Sequence, residues 1–207
     1  MKTIKIFHVS PALLDGKIQH NYGKGGDFGH GFYMSKNRKY LHKQFCHTGG
    51  YCYTLKLKLQ DLNCFNLNLG MDWVLLIAYN RGYLDSVKDS KYIYDLLDKL
   101  KNVDIIFTYI KNKILFDVFF SDKITDCQLM QCINLLEFQQ QIVALTPKAC
   151  SSIIIKKVKK IDPICTVKKG GISNASLAIQ MVKKQEQNGT FFSDIIKQIR
   201  DGTFDEK

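Results

Sequence analysis

Apolar positions along this chain recur with two periods, and the switch between them marks out the elements. Residues 51–59 alternate almost without a break: Tyr51, Tyr53, Leu55, Leu57 and Leu59 fall on one side, and Cys52, Thr54, Lys56 and Lys58 on the other. That period of two predicts a strand with one buried face. Residues 2–8 predict a first strand. Residues 103–110 and 114–120 predict two more around a turn at Lys111-Asn112-Lys113, and 139–145 and 151–161 predict another two. Elsewhere the spacing is helical. Ser35 is placed to cap a helix over 36–46 that Gly49-Gly50 closes. Asp72 opens an apolar helix through Trp73, Leu76 and Ile77 that ends near Gly82; a second covers 91–101, and Thr125 caps a third running to about 138. Residues 11–32 read as loop. Past Pro163, Lys168-Lys169-Gly170-Gly171 reads as a linker to two weakly amphipathic helices over 174–187 and 193–200.

Strands interleaved with helices, without regular βαβ spacing, predict an α+β domain built on antiparallel pairs. The expected division is a domain over 1–165 and a C-terminal helical appendage over 166–207. With 207 residues, 45% of them hydrophobic, the chain is long enough to bury one good core. No apolar run approaches the roughly 20 residues that span a bilayer, and the N-terminus is too soon polar for a signal peptide. These features predict a cytoplasmic chain with no membrane partner. Seven cysteines, an odd number in a chain of this size, read as reduced thiols.

Charge narrows the partners. The net charge is +11, yet only Arg38, Arg81 and Arg200 are arginines. A lysine excess draws acidic partners, but bidentate reading of bases prefers arginine, so sequence-specific DNA recognition does not fit. Lys156-Lys157-Val158-Lys159-Lys160 reads as the solvated face of a strand, with phosphate contact as the alternative. His42, Cys46, His47 and Cys52 match no zinc-ligand spacing, so no metal is expected.

The densest chemical signal is the run from Gly23 to Ser35, Gly-Lys-Gly-Gly-Asp-Phe-Gly-His-Gly-Phe-Tyr-Met-Ser, which follows a short apolar strand carrying His8. Glycines at this density let the backbone turn at positive φ and approach a ligand closely. The run lacks the Gly-Lys-Ser/Thr ending of a phosphate loop and follows no βαβ unit, so neither kinase-type nor Rossmann binding fits. Phe7-His8-Val9-Ser10 resembles the His-Gly-Ser strand of poly(ADP-ribose)-polymerase-like and diphtheria-toxin-like ADP-ribosyltransferases. Phe28-Gly29-His30-Gly31-Phe32-Tyr33-Met34-Ser35 resembles their Phe-Gly-Lys-Gly-Ile-Tyr-Phe-Ala strand, and Gln139-Gln140-Gln141-Ile142-Val143 their third motif. The order of these motifs, with Asn80-Arg81 after the Trp73 helix, also resembles an uncharacterised bacterial group related to this fold, over roughly residues 4–155.

The resemblance implies a split antiparallel β core with flanking helices and NAD as substrate. It implies His8 on a ribose hydroxyl of the adenosine half, the backbone at Val9 and the hydroxyl of Ser10 on the carboxamide, and Tyr33 stacked on nicotinamide. Phe28, Gly29 and Gly31 would shape the site, and Tyr40 would add a second ring wall. Gln141 would bind the reacting ribose, and Gln139 would help select the acceptor. Catalysis falls to His8, Tyr33 and Gln141. Two positions depart from the family: Val9 stands for glycine and Gln141 for glutamate. A neutral amide can hydrogen-bond a hydroxyl but gives no full negative charge to a developing oxocarbenium ion. The implied acceptor is a macromolecule, protein rather than nucleic acid, and an inhibitory partner protein is a further expectation. The alternatives are a silent NAD- or ADP-ribose-binding module of the same fold, and a basic RNA-binding protein.

Overall fold

The computed structural model describes residues 2–21, 25–164, 173–185 and 189–205. The linker expected over 168–171 lies outside the described residues, as do Gly23 and Lys24 of the glycine run. The chain forms two compact units. The first comprises Met1–Asn68, Asn102–Ile110 and Gln139–Lys169; the second comprises Leu69–Lys101, Lys111–Phe138 and Gly170–Lys207. The architecture is of the α+β kind, with one antiparallel sheet, one mixed sheet and helices.

In the first unit, β1 (Thr3–Ser10), β3 (Gly50–Lys58) and β7 (Ile153–Ile161) form an antiparallel sheet in the order β1-β3-β7. The second sheet has the order β2-β6-β5-β4: β2 is Phe32–Met34, β6 Gln140–Ala144, β5 Ile105–Tyr109 and β4 Cys64–Asn66. Its pairings are antiparallel except β4 with β5, which is parallel. The inner faces meet in a core of Ile6, Tyr53, Leu55 and Leu57 from one sheet and Phe32, Met34, Ile105, Ile142 and Ala144 from the other. Fully burying each of these aliphatic side chains contributes about 1.5–3 kcal/mol. A single bridge ties the sheets: Phe7 N–H donates to the Ser35 carbonyl (2.8 Å), and Ser35 N–H to the Phe7 carbonyl (3.0 Å).

Helix α1 (Arg38–Phe45) begins four residues after the end of β2 and packs on β1. Its cap is Asn37, whose Oδ1 accepts from Tyr40 N–H (3.0 Å), not Ser35. Ser35 is held by the bridge to Phe7, and its hydroxyl donates to the Gln140 carbonyl (2.6 Å). Two short elements escape the hydrophobic pattern: β4, and α6 (Pro147–Ser151) with Thr146 as cap and proline at its start.

The second unit is helical: α2 (Met71–Asn80), α3 (Lys91–Asp98), α4 (Lys113–Phe119), α5 (Asp126–Leu135), α7 (Asn174–Lys183) and α8 (Phe192–Arg200). Residues 114–120, expected as a strand, form α4. Their apolar run suits either period; the Asn112 side chain decides it by accepting from Leu115 N–H (3.2 Å), and Leu115, Phe116 and Phe119 then share a buried side. Thr125 caps α5 as expected, in a full capping box with Gln128. Trp73 packs edge-on to Phe116 and Phe138 at 5.1 and 5.5 Å. The chain divides elsewhere than at residue 165. Helix α7 packs on α4 and α5, so the C-terminal helices belong to a unit assembled from three stretches of chain. No helix among the described residues is long and apolar enough to cross a membrane.

Candidate functional site

Two clusters in the first unit gather the residues the motifs single out. The first joins β1 to β2. His8 shares the inner side of its sheet with Ile6, and its ring lies 4.3 Å from that of Phe32 and 5.9 Å from that of Tyr53. Its Nδ1–H donates to the Tyr33 carbonyl (2.7 Å), which can only accept. The neutral ring therefore presents the Nε2 lone pair. Loss of hydration holds the imidazole below its ordinary value of 6.5, against the upward pull of the Tyr33 bond, so His8 is an uncharged acceptor at neutral pH.

Tyr33 is half-buried, and its hydroxyl organises the glycine turn. It accepts from Phe28 N–H (3.0 Å) and donates to the Gly29 carbonyl (2.8 Å). Gly26 and Gly29 bridge each other, with Gly29 at φ +80°, and any Cβ at Gly26 would collide with the Tyr33 ring. Stacking on a ligand needs the ring alone, so the hydroxyl has a separate structural task. Phe28 is buried beneath this turn, and a Cβ at Gly31 would run into Val143.

Gln141 belongs to the second cluster. Tyr33 pairs with Val143, and Thr108 pairs with Gln141, so Tyr33, Val143, Gln141 and Thr108 share the face of the second sheet turned away from its sandwich core. Gln141 and Thr108 are 6% and 3% exposed. Gln141 Oε1 and Thr108 Oγ1 both lack a hydrogen-bond partner. Leaving such atoms unsatisfied costs about 1–3 kcal/mol each, which marks the pair as waiting for donors. They line a cavity of about 220 Å³ together with Lys36, Asn66, Asn68 and Gln140. The lining holds amides, the hydroxyls of Thr108 and Tyr109, an ammonium and the apolar Phe107 and Ile142, and no carboxylate. Its volume suits a sugar-sized group rather than a whole dinucleotide. Neither His8 nor Tyr33 lines it.

The remaining expected residues are placed as follows. Val9 is buried with Leu41, Cys46, Cys52 and Ile110, and Tyr40 packs against the same cluster from α1. Ser10 Oγ accepts from Ala12 N–H (3.3 Å). Gln139 Oε1 accepts from Asn37 Nδ2 (2.7 Å), which ties the third motif to the start of α1. His42 Nε2 lies 3.1 Å from the Asp162 carbonyl. Asn80 and Arg81 end α2 in the second unit. Burial pushes the thiols of Cys46 and Cys52 up, away from nucleophilic character.

Sequence reasoning passed over two residues. Thr108 carries a signal: it is a polar side chain that follows the unbroken apolar run Ile105-Ile106-Phe107 within one strand. Asp104 is the other. Its carboxylate accepts from Asn63 N–H (3.0 Å) and the Thr146 hydroxyl (2.5 Å), with Lys148 Nζ at 3.4 Å. Burial pushes this carboxyl up, but those partners outweigh it and hold it below the ordinary 3.8. Asp104 thereby clamps the entries of β4, β5 and α6. Comparison of the chain with protein-family models, curated proteins and solved structures finds no match.

Proposed function

We propose that the chain is an NAD-dependent ADP-ribosyltransferase acting in the reducing cytoplasm, with the split β core of that superfamily and with His8, Tyr33 and Gln141 as its site. The observation that carries this reading is the pair Gln141–Thr108. Two buried acceptors without donors sit on paired strands, where directly opposed Cβ atoms lie about 4.5–5.5 Å apart. A vicinal diol supplies two adjacent donors, and ribose is such a diol. Neutral His8, with Nε2 free to accept, suits a second sugar hydroxyl.

In the reaction the bond between ribose C1′ and nicotinamide breaks, the electron pair leaves with the neutral ring, and an acceptor nucleophile bonds to C1′ and loses its proton. Gln141 orients the ribose for that step. Developing positive charge on the sugar needs an anion, and the cavity lining offers none. That absence favours, as the second reading, a module of the same fold that binds NAD or ADP-ribose with little or no turnover.

Incubation with labelled NAD and cell lysate separates the two. The expected result is label on a macromolecule, lost in Gln141→Ala and kept or raised in Gln141→Glu. Calorimetric binding without nicotinamide release selects the binding module. Neither heat nor release at millimolar NAD defeats both.

A further inference from the structure

The outer face of the first sheet carries a groove for which the NAD reading has no use. Its volume is about 510 Å³, and it lies between the first turns of α1 and the edge strand β7. The register explains its walls. Lys157 pairs with Thr54 and Lys159 with Cys52, so the two lysines stand on the same side of the sheet, about 6.6 Å apart. Helix α1 packs on that side through Leu41 and Cys46, against Val9 and Cys52. Arg38 and Lys39, in its first turn, line the groove together with those lysines.

All four cations are exposed, and among the described residues none forms an ion pair. Asp162 is the one carboxylate among the lining residues. Lysines on an edge strand deter pairing with other sheets, which accounts for β7 alone. It does not account for Arg38 and Lys39, which come from another element to the same hollow. With Lys160, which also lines the groove, five like charges around one concavity focus a positive field within it. That field reaches the floor, where Arg38 opposes the upward push of burial on the Cys52 thiol.

We infer that this groove binds the sugar–phosphate backbone of a nucleic-acid strand, with Arg38, Lys39, Lys157 and Lys159 contacting phosphates. A linear polyanion with one charge per nucleotide suits cations fixed at strand spacing better than the irregular carboxylates of an acidic protein do. No Phe, Tyr or Trp lines the groove to stack a base, so binding is independent of sequence. The inference does not rest on NAD.

The test is fluorescence anisotropy of the full chain with a labelled mixed-sequence single-stranded RNA, without NAD. Four phosphate contacts to a single strand give a salt slope near −2.8, so affinity falls about 50-fold from 50 to 200 mM KCl. The double variants K157E/K159E and R38E/K39E are expected to weaken binding at least tenfold and to flatten the slope. K91E/K101E makes the same change in charge on the helical unit and is expected to stay within twofold of wild type. K157Q/K159Q, with circular dichroism on every variant, guards against misfolding and is expected to lose affinity as well. Equal loss in K91E/K101E, competition by polyglutamate as strong as by RNA, an unchanged slope, or no binding by the wild type overturns the inference.

Discussion

The cavity at Gln141 and the groove at Arg38 belong to one unit, yet the first is lined mainly by uncharged groups, two of them buried and unsatisfied, and the second by exposed cations. Buried acceptors act over hydrogen-bond distances and choose a ligand by geometry. Exposed cations act over a Debye length and choose by charge. The second sheet supplies a fixed pair of acceptors through strand register; the first sheet and α1 supply only a field. The same fold therefore separates a selective hollow from an attractive one.

Salt separates the two hollows most strongly. Between 50 and 200 mM KCl, RNA affinity is expected to fall about 50-fold, while NAD affinity, followed by calorimetry, moves less than threefold. A parallel loss of both would mean that the cavity also binds by charge.

Asp104→Asn comes next. An amide cannot accept from both Asn63 and Thr146 while also pairing with Lys148, so urea unfolding is expected to show a loss of about 1–3 kcal/mol. Because Asp104 holds the entries of β4 and β5, which carry Asn66 and Thr108, NAD affinity should fall with it. RNA affinity of the folded variant should not.

The effect of His8 is confined to a window of pH. Its imidazole is held below 6.5 in the folded protein, so the unfolded chain takes up a proton that the folded one refuses. Stability is therefore fully present above about pH 6.5, declines as the pH drops below it, and declines no further once folded His8 itself protonates. His8→Gln is expected to flatten that part of the stability profile, which urea unfolding across the pH range reads directly. An unchanged profile would show that His8 is well hydrated.

What the sequence disclosed follows from how local each feature is. The strand at 51–59 is legible because every second side chain reports the same face, and the Thr125 cap because both halves of its box lie within four residues. Residues 114–120 are ambiguous in sequence because an unbroken apolar run fits both periods and only Asn112, outside the run, settles it. Asn37 replaced Ser35 as cap because Ser35 answers to Phe7 and Gln140, which are remote in sequence. The glycine run announced a tight approach, but not that Tyr33 itself is what the turn wraps. Thr108 opposite Gln141, Asp104 against Thr146, and Arg38 with Lys157 around one groove all join residues remote in sequence, and no spacing along the chain encodes them.

The proposed function requires the Gln141–Thr108 pair to receive the ribose of NAD. Calorimetric titration of NAD into wild type, Gln141→Ala and Thr108→Val tests it most directly, with thermal unfolding of each variant alongside. Losing one buried hydrogen bond to a ligand costs about 1–3 kcal/mol. The expected result is saturable binding by the wild type and a five- to 150-fold loss in each variant, with folding intact. Equal affinity in all three proteins, or no heat in the wild type, would contradict it.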